Sequence, residues 1–89
     1  VDSTDEITVH VRYFAGARAA AEVAEESVSM HRGASVRETL ALLADRRGAG
    51  LARVLSACSF LVDGVAVTNR ERPLTEAVVL DVLPPFAGG

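Results

Sequence analysis

Lysine is absent: all nine basic residues are arginines, at positions 12, 18, 32, 37, 46, 47, 53, 70 and 72. The chain therefore offers no side chain that could form a Schiff base and none to act as the lysine of a Walker phosphate loop, and the remainder of that pattern is missing around Gly48-Ala49-Gly50. ATP chemistry must come from a partner. Cysteine is almost absent as well, Cys58 standing alone. That excludes an internal disulfide and a plant-type iron–sulfur cluster, which takes four thiolates. No apolar run approaches the ~20 residues of a membrane span, so no membrane association is expected. Val1 to Glu6 is acidic and polar, unlike a secretory signal, and a cytoplasmic location is expected. An excess of basic charge is lacking too. With a net charge of -3 and a pI near 5.2, the chain has no basic stripe to release counterions from a phosphate backbone, and nucleic acid is not an expected partner. His10 and His31 are the only histidines and lie far apart on predicted polar strand faces, so no metal site is expected.

What is present is an apolar pattern sufficient for one small domain. Hydrophobic residues make up 49% of the 89 and charged residues 24%, as in globular chains. Ile7, Val9, Val11 and Tyr13 alternate with Thr8, His10, Arg12 and Phe14, which predicts a strand with one buried face. Gly16 breaks it. Ala17 to Glu22 is alanine-rich and allows one or two helical turns, and Ser27 to His31 reads as a second strand. Ser35 and Glu38 form a capping box that starts a helix. Val36, Leu40, Leu43 and Ala44 recur on one side of it, Arg46 and Arg47 sit where the helix dipole favours cations, and Gly48 supplies a left-handed stop.

Leu51 to Leu55 predicts a short helical turn. Cys58 to Val62 and Val65 to Val67 flank Asp63-Gly64, a strong hairpin signal. Val78 to Leu83 is nearly continuous in apolar residues, with only Asp81 interrupting, as in a covered central strand. The order is strand, strand, helix, strand, short strand, strand. It predicts an α+β domain over residues 1–83, a mixed sheet of four to five strands with one main helix packed across it.

Residues 84–89 are different. Pro84-Pro85 removes two backbone donors and fixes φ, so pairing ends at Leu83 and the chain leaves as a stiff extended segment with a reach of roughly 20 Å. Phe86 provides one apolar anchor, and Ala87, Gly88 and Gly89 are slim enough for a narrow channel while leaving the terminal carboxylate open to attack. Two terminal glycines arise by chance at about 0.5%.

The closing run Val82-Leu83-Pro84-Pro85-Phe86-Ala87-Gly88-Gly89 resembles that of molybdopterin synthase small subunits, the ubiquitin-like sulfur carriers. Arg12-Tyr13-Phe14-Ala15 with Arg18 also resembles the opening of that family, and the strand order matches its β-grasp fold over nearly the whole chain. Two positions depart from the pattern: Glu22, where glycine is frequent, and Thr75-Glu76-Ala77, where a Gly-Asp turn is frequent.

The resemblance implies that Gly89 is the reacting residue. A ubiquitin-activating-like enzyme, using ATP, converts its carboxylate to an acyl-adenylate, and a sulfur donor then gives the thiocarboxylate. The tail, Pro84 to Gly88, threads into a large subunit, in a heterotetramer, beside the cyclic pyranopterin precursor. The carrier binds no cofactor and contributes no catalytic side chain. The resemblance also implies a docking patch of Phe14, Val67 and Leu83. Alternation supports part of it, since Phe14 is apolar on a polar strand face and Asp81 places Leu83 on the outer side of the last strand, parallel to the first in a β-grasp sheet. A thiamin-type or cysteine-type sulfur carrier shares the fold and the Gly-Gly end. A ubiquitin-like modifier joined to target lysines is a third reading.

Overall fold

In the computed structural model, described here for residues 5–85, the alternating residues form the expected strands in one five-stranded mixed sheet. The elements are β1 (Glu6–Tyr13), α1 (Ala15–Ala21), β2 (Glu25–His31), α2 (Val36–Arg47), α3 (Ala49–Leu55), β3 (Ser59–Val62), β4 (Val65–Ala66) and β5 (Val78–Leu83). The sheet order is β2-β1-β5-β3-β4. β1 pairs antiparallel with β2 and parallel with β5, and β3 runs antiparallel to both β5 and β4. This is the β-grasp arrangement, with the last strand threaded between the first and third.

The alternation of β1 is realised residue by residue: Ile7, Val9, Val11 and Tyr13 are buried, while Thr8 and Arg12 are exposed and His10 is partly so. With Val28, Met30, Phe60, Val78, Leu80 and Val82 they make the inner face of the sheet. The helices close over that face with Ala17 and Ala21 of α1, Val36, Leu40 and Leu43 of α2, and Leu51 and Leu55 of α3. Fully burying each large aliphatic side chain stabilises the fold by roughly 1.5–3 kcal/mol.

The capping box forms as the spacing predicts. Ser35 Oγ accepts from the Glu38 N–H at 3.1 Å, and the Glu38 carboxylate accepts from the Ser35 N–H at 2.9 Å. The buried stripe of α2 differs by one residue from the sequence reading. Thr39 is buried and donates its hydroxyl to the Ser35 carbonyl at 3.0 Å, whereas Ala44 is only half-buried.

Gly48 stops α2, but not in the left-handed helical region: its φ of 98° and ψ of -177° lie where essentially only glycine is found. The same residue opens α3, so one glycine carries the chain from helix to helix. The Asp63-Gly64 hairpin has positive φ at both positions, 49° and 83°, which is what a two-residue type I′ turn demands. Asp63 also secures the hairpin to the central strand. Its N–H donates to the Val79 carbonyl, and its carboxylate accepts from the Val79 N–H, both at 2.8 Å.

Glu22, one of the two departures, ends α1 with φ 67° and ψ 15°. The left-handed turn is kept although no glycine occupies it, at a cost of roughly 1–2 kcal/mol. No helix among the described residues is long and apolar enough to cross a membrane.

Candidate functional site

The candidate site is the end of the sheet from which the chain leaves after Leu83. β5 pairs through Leu83, opposite Ser59 of β3, and Pro84 and Pro85 follow outside the sheet, as the missing donors require. Phe86, Ala87, Gly88 and Gly89 lie outside the described residues. Because β5 is central, held by β1 on one side and β3 on the other, this exit point is fixed by two ladders.

Phe14 and Leu83 meet there. The parallel register ends with Tyr13 beside Val82, so the next residues of the two strands are neighbours, and the Phe14 N–H donates to the Val82 carbonyl at 3.3 Å. Tyr13 and Val82 are buried on the inner face, which by strand alternation turns Phe14 and Leu83 outward. Phe14 is 40% exposed, one of two large exposed hydrophobics among the described residues, and Leu83 is half-buried. Leu61 extends the same face, being paired with Asp81. Ala15 has a φ of 49°, and this sharp turn starts α1 directly after Phe14.

Val67 is placed elsewhere. The antiparallel pair Leu61–Ala66 sets the next step opposite Phe60, and the Val67 N–H donates to the Phe60 carbonyl at 2.9 Å. Phe60 is buried on the inner face, and Val67 packs against the core beside it. The structure thus joins Phe14 and Leu83 on the outer face and separates Val67 from them. β4 is only two residues long, too short for periodicity to reveal its inner and outer sides.

An ion pair underlies the apolar patch. Asp81 is 6% exposed, and Arg12 grips it with both arms, Nε to Oδ1 at 2.6 Å and Nη2 to Oδ2 at 2.9 Å. The guanidinium also lies 5.9 Å from the centre of the Phe14 ring, within cation–π range. The partners are directly opposed in the β1–β5 register. Sequence alternation had set both residues on the outer face, but their pairing needs the parallel alignment of strands that are far apart in sequence.

The inner side of the same sheet end is held by a second network absent from the sequence reading. The Tyr13 hydroxyl donates to Glu26 at 2.6 Å, and Arg47 reaches the same carboxylate with Nε at 3.1 Å and Nη2 at 2.9 Å. Arg47 also caps the Ala21 carbonyl at 3.3 Å, and Arg46 stands 3.5 Å from Glu26. The two arginines therefore do more than complement a helix dipole: they fasten the end of α2 to β2 and α1. Burial favours the neutral acid at Glu26, but the hydrogen bonds from Arg47 and Tyr13 outweigh it and hold the carboxyl below its usual range. Burial and the Glu26 hydrogen bond push the Tyr13 phenol far up.

The remaining chemistry-bearing residues have structural occupations. Cys58 is buried, its thiol raised by desolvation, and it donates to the Val54 carbonyl at 3.2 Å. His10 bridges Ser27 at 3.1 Å and Glu25 at 2.7 Å. His31 lies 3.2 Å from both Glu38 and the Arg32 carbonyl.

The ThiS family model matches residues 11–89. Among solved structures, a Pyrococcus furiosus protein provisionally assigned as molybdopterin converting factor subunit 1 is 25% identical with a TM-score of 0.75, over 90% of this chain and 99% of that one. Small archaeal modifier protein 1 of Methanosarcina acetivorans is also 25% identical, with a TM-score of 0.77, over 94% and 98%. The complex of subunits 1 and 2 of the molybdopterin-converting factor from Helicobacter pylori contains a chain 26% identical with a TM-score of 0.63, over 93% and 100%. Comparison with curated protein sequences returns no match. The family match spans nearly the whole chain, and it agrees with a last strand threaded through the centre of the sheet: the chain belongs to the ThiS family and has its ubiquitin-like sulfur-carrier fold.

Proposed function

We propose that the chain is the sulfur-carrying small subunit of a molybdopterin synthase, with Gly89 as its working residue. A carboxylate resists nucleophiles because of its own charge. Activation joins the Gly89 carboxylate to the AMP portion of ATP and releases pyrophosphate; a sulfide equivalent then displaces AMP and leaves a terminal thiocarboxylate, an ionised sulfur nucleophile. The activating enzyme is of the ubiquitin-activating-like type and supplies the ATP site. The loaded tail, Pro84 to Gly89, then enters a large subunit and delivers its sulfur to the cyclic pyranopterin precursor. Two such deliveries build the dithiolene.

One observation carries this reading. The Pro-Pro-Phe-Ala-Gly-Gly segment follows directly from a doubly paired central strand, with the apolar pair Phe14 and Leu83 at its base. A patch of that kind beside a slim reactive terminus is what a partner needs to grip the domain while taking in its tail. The Helicobacter pylori relative is seen in complex with a subunit 2, which favours a large-subunit partner here.

The test is intact-mass analysis after incubation with the activating enzyme, ATP and a sulfur donor. Exchange of one terminal oxygen for sulfur is the expected product, followed by sulfur transfer when large subunit and precursor are added. Removal of Gly89 is expected to abolish both while leaving circular dichroism and Tm unchanged; full transfer by that truncation would refute the mechanism.

The likeness to small archaeal modifier protein 1 favours a second reading, in which Gly89 forms an isopeptide with lysines of other proteins. Lysine-linked conjugates in the same incubation, in place of the oxygen-to-sulfur exchange, would establish it. A thiamin-type or cysteine-type carrier would load sulfur equally well but fail to deliver it to the pyranopterin precursor.

A further inference from the structure

The sheet has an open side at β2. Among the described residues nothing pairs with the outer edge of this seven-residue strand, whereas the other edge strand, β4, has only two residues. Edge strands are commonly guarded by proline, charged side chains, a bulge or brevity. β2 has no proline, lysine or bulge, its inward charge, Glu26, is already paired with Arg47, and its register with β1 is unbroken from Glu25 to His31.

The hydrogen-bond phase of the edge follows from its two ends. Tyr13 donates to the Ala24 carbonyl at 2.8 Å and Arg32 donates to the Asp5 carbonyl at 2.6 Å, so the even-numbered residues of β2 address β1. The N–H and C=O groups of Glu25, Ser27, Ser29 and His31 consequently point away from the sheet. A two-fold axis through Val28 sets Glu25 opposite His31 of a second copy and Ser27 opposite Ser29 of the second copy. Sliding the register by one pleat leaves either Glu25 or His31 without a partner. At this register alone all four outward residues form hydrogen-bonded pairs. Each pair exchanges two bonds, so four pairs give eight bonds across the edge. It also places acid against imidazole at both ends and small hydroxyl side chains between them.

We propose that β2 is a self-association edge, through which two copies join antiparallel about Val28 into one continuous sheet, each five-stranded sheet extending the other. The contact is isologous and closes at two copies. β1 lies between β2 and β5, so Phe14, Leu83 and the tail exit remain open in the pair. The two β5 strands run in opposite directions, and their tails leave from opposite ends.

Sedimentation equilibrium on the purified chain, from about 10 µM to about 1 mM where small interfaces associate, tests this directly. The expected result is an average mass rising from 9.3 kDa toward twice that value, with hydrogen exchange at the Ser27 and Ser29 amides slowing as concentration rises. Ser27→Pro removes an outward donor without touching the β1–β2 ladder, and it is expected to weaken association at least tenfold at native circular dichroism. If that variant is misfolded, charge reversal serves instead: Glu25→Arg weakens the pair, and adding His31→Glu restores it. A monomer throughout the range, a dimer that leaves those amides unprotected, or a dimer indifferent to these substitutions overturns the proposal. None of these outcomes bears on sulfur loading at Gly89.

Discussion

Phe14 is an exposed aromatic ring held at a fixed point, between a strand end and a left-handed turn at Ala15. Its exposure means that little folding energy depends on it, while aromatic anchors at interface centres commonly contribute about 2 kcal/mol or more to binding. Phe14→Asp is therefore expected to weaken binding to a large subunit by about 30-fold with Tm shifted by only a few degrees, as read by calorimetry and thermal melting. Unchanged affinity would remove Phe14 from the interface. Glu26 behaves differently, as a group whose effect is on pH dependence. Its folded carboxyl titrates below its ordinary value of 4.5, so the unfolded chain binds the proton more readily. The stabilisation is present above that value and is lost as pH falls through the folded one. Thermal melts should show wild-type Tm falling on acidification below about pH 5, and Glu26→Gln should flatten that slope while lowering Tm at neutral pH. An unchanged acid slope in the variant would assign the titration to other carboxylates, Glu38 first, which the Ser35 N–H and His31 also hold low.

At the scale of elements, local signals gave what local chemistry controls. The capping box at Ser35 and Glu38, the Asp63-Gly64 turn and the prolines after Leu83 each specify a backbone event within a few residues, and each is found where it was read. Gly48 was legible as a stop but not as a bridge. That one residue both ends α2 and starts α3 depends on how Leu51 and Leu55 reach the core. An added β-carbon at Gly48 meets no atom within 4 Å, so the cost of Gly48→Ala is conformational alone, about 1–3 kcal/mol. Denaturant unfolding should show that loss with m unchanged; a loss under 0.5 kcal/mol would mean that the junction relaxes. The features that escaped the sequence reading are those made by distant strands: the Arg12–Asp81 grip, the Tyr13–Glu26–Arg47 network and the inward side of Val67. Each requires knowing which strands are neighbours, and in Val67 the strand is too short to carry a period.

For the molecule as a whole, the chain's last strand is laid down in the middle of the sheet, so contacts between its two ends in sequence, β1 with β5, bind the domain together. Such long-range parallel pairing is slow to form, and it makes the C-terminal half of the core dependent on the N-terminal strand. The amides of Val79 to Leu83 are accordingly expected to exchange with deuterium only through global unfolding, with protection equal to the full stability of the domain. Faster exchange there than in β2 would show that β5 opens by itself.

The central place of β5 also bears on mechanics. A partner that draws the terminal residues into a channel pulls along the axis of a strand clamped on both sides, loading its hydrogen bonds together in shear rather than one after another. Under the proposed function, the domain would thus resist that pull as a rigid cap and stay folded while force is applied at Leu83.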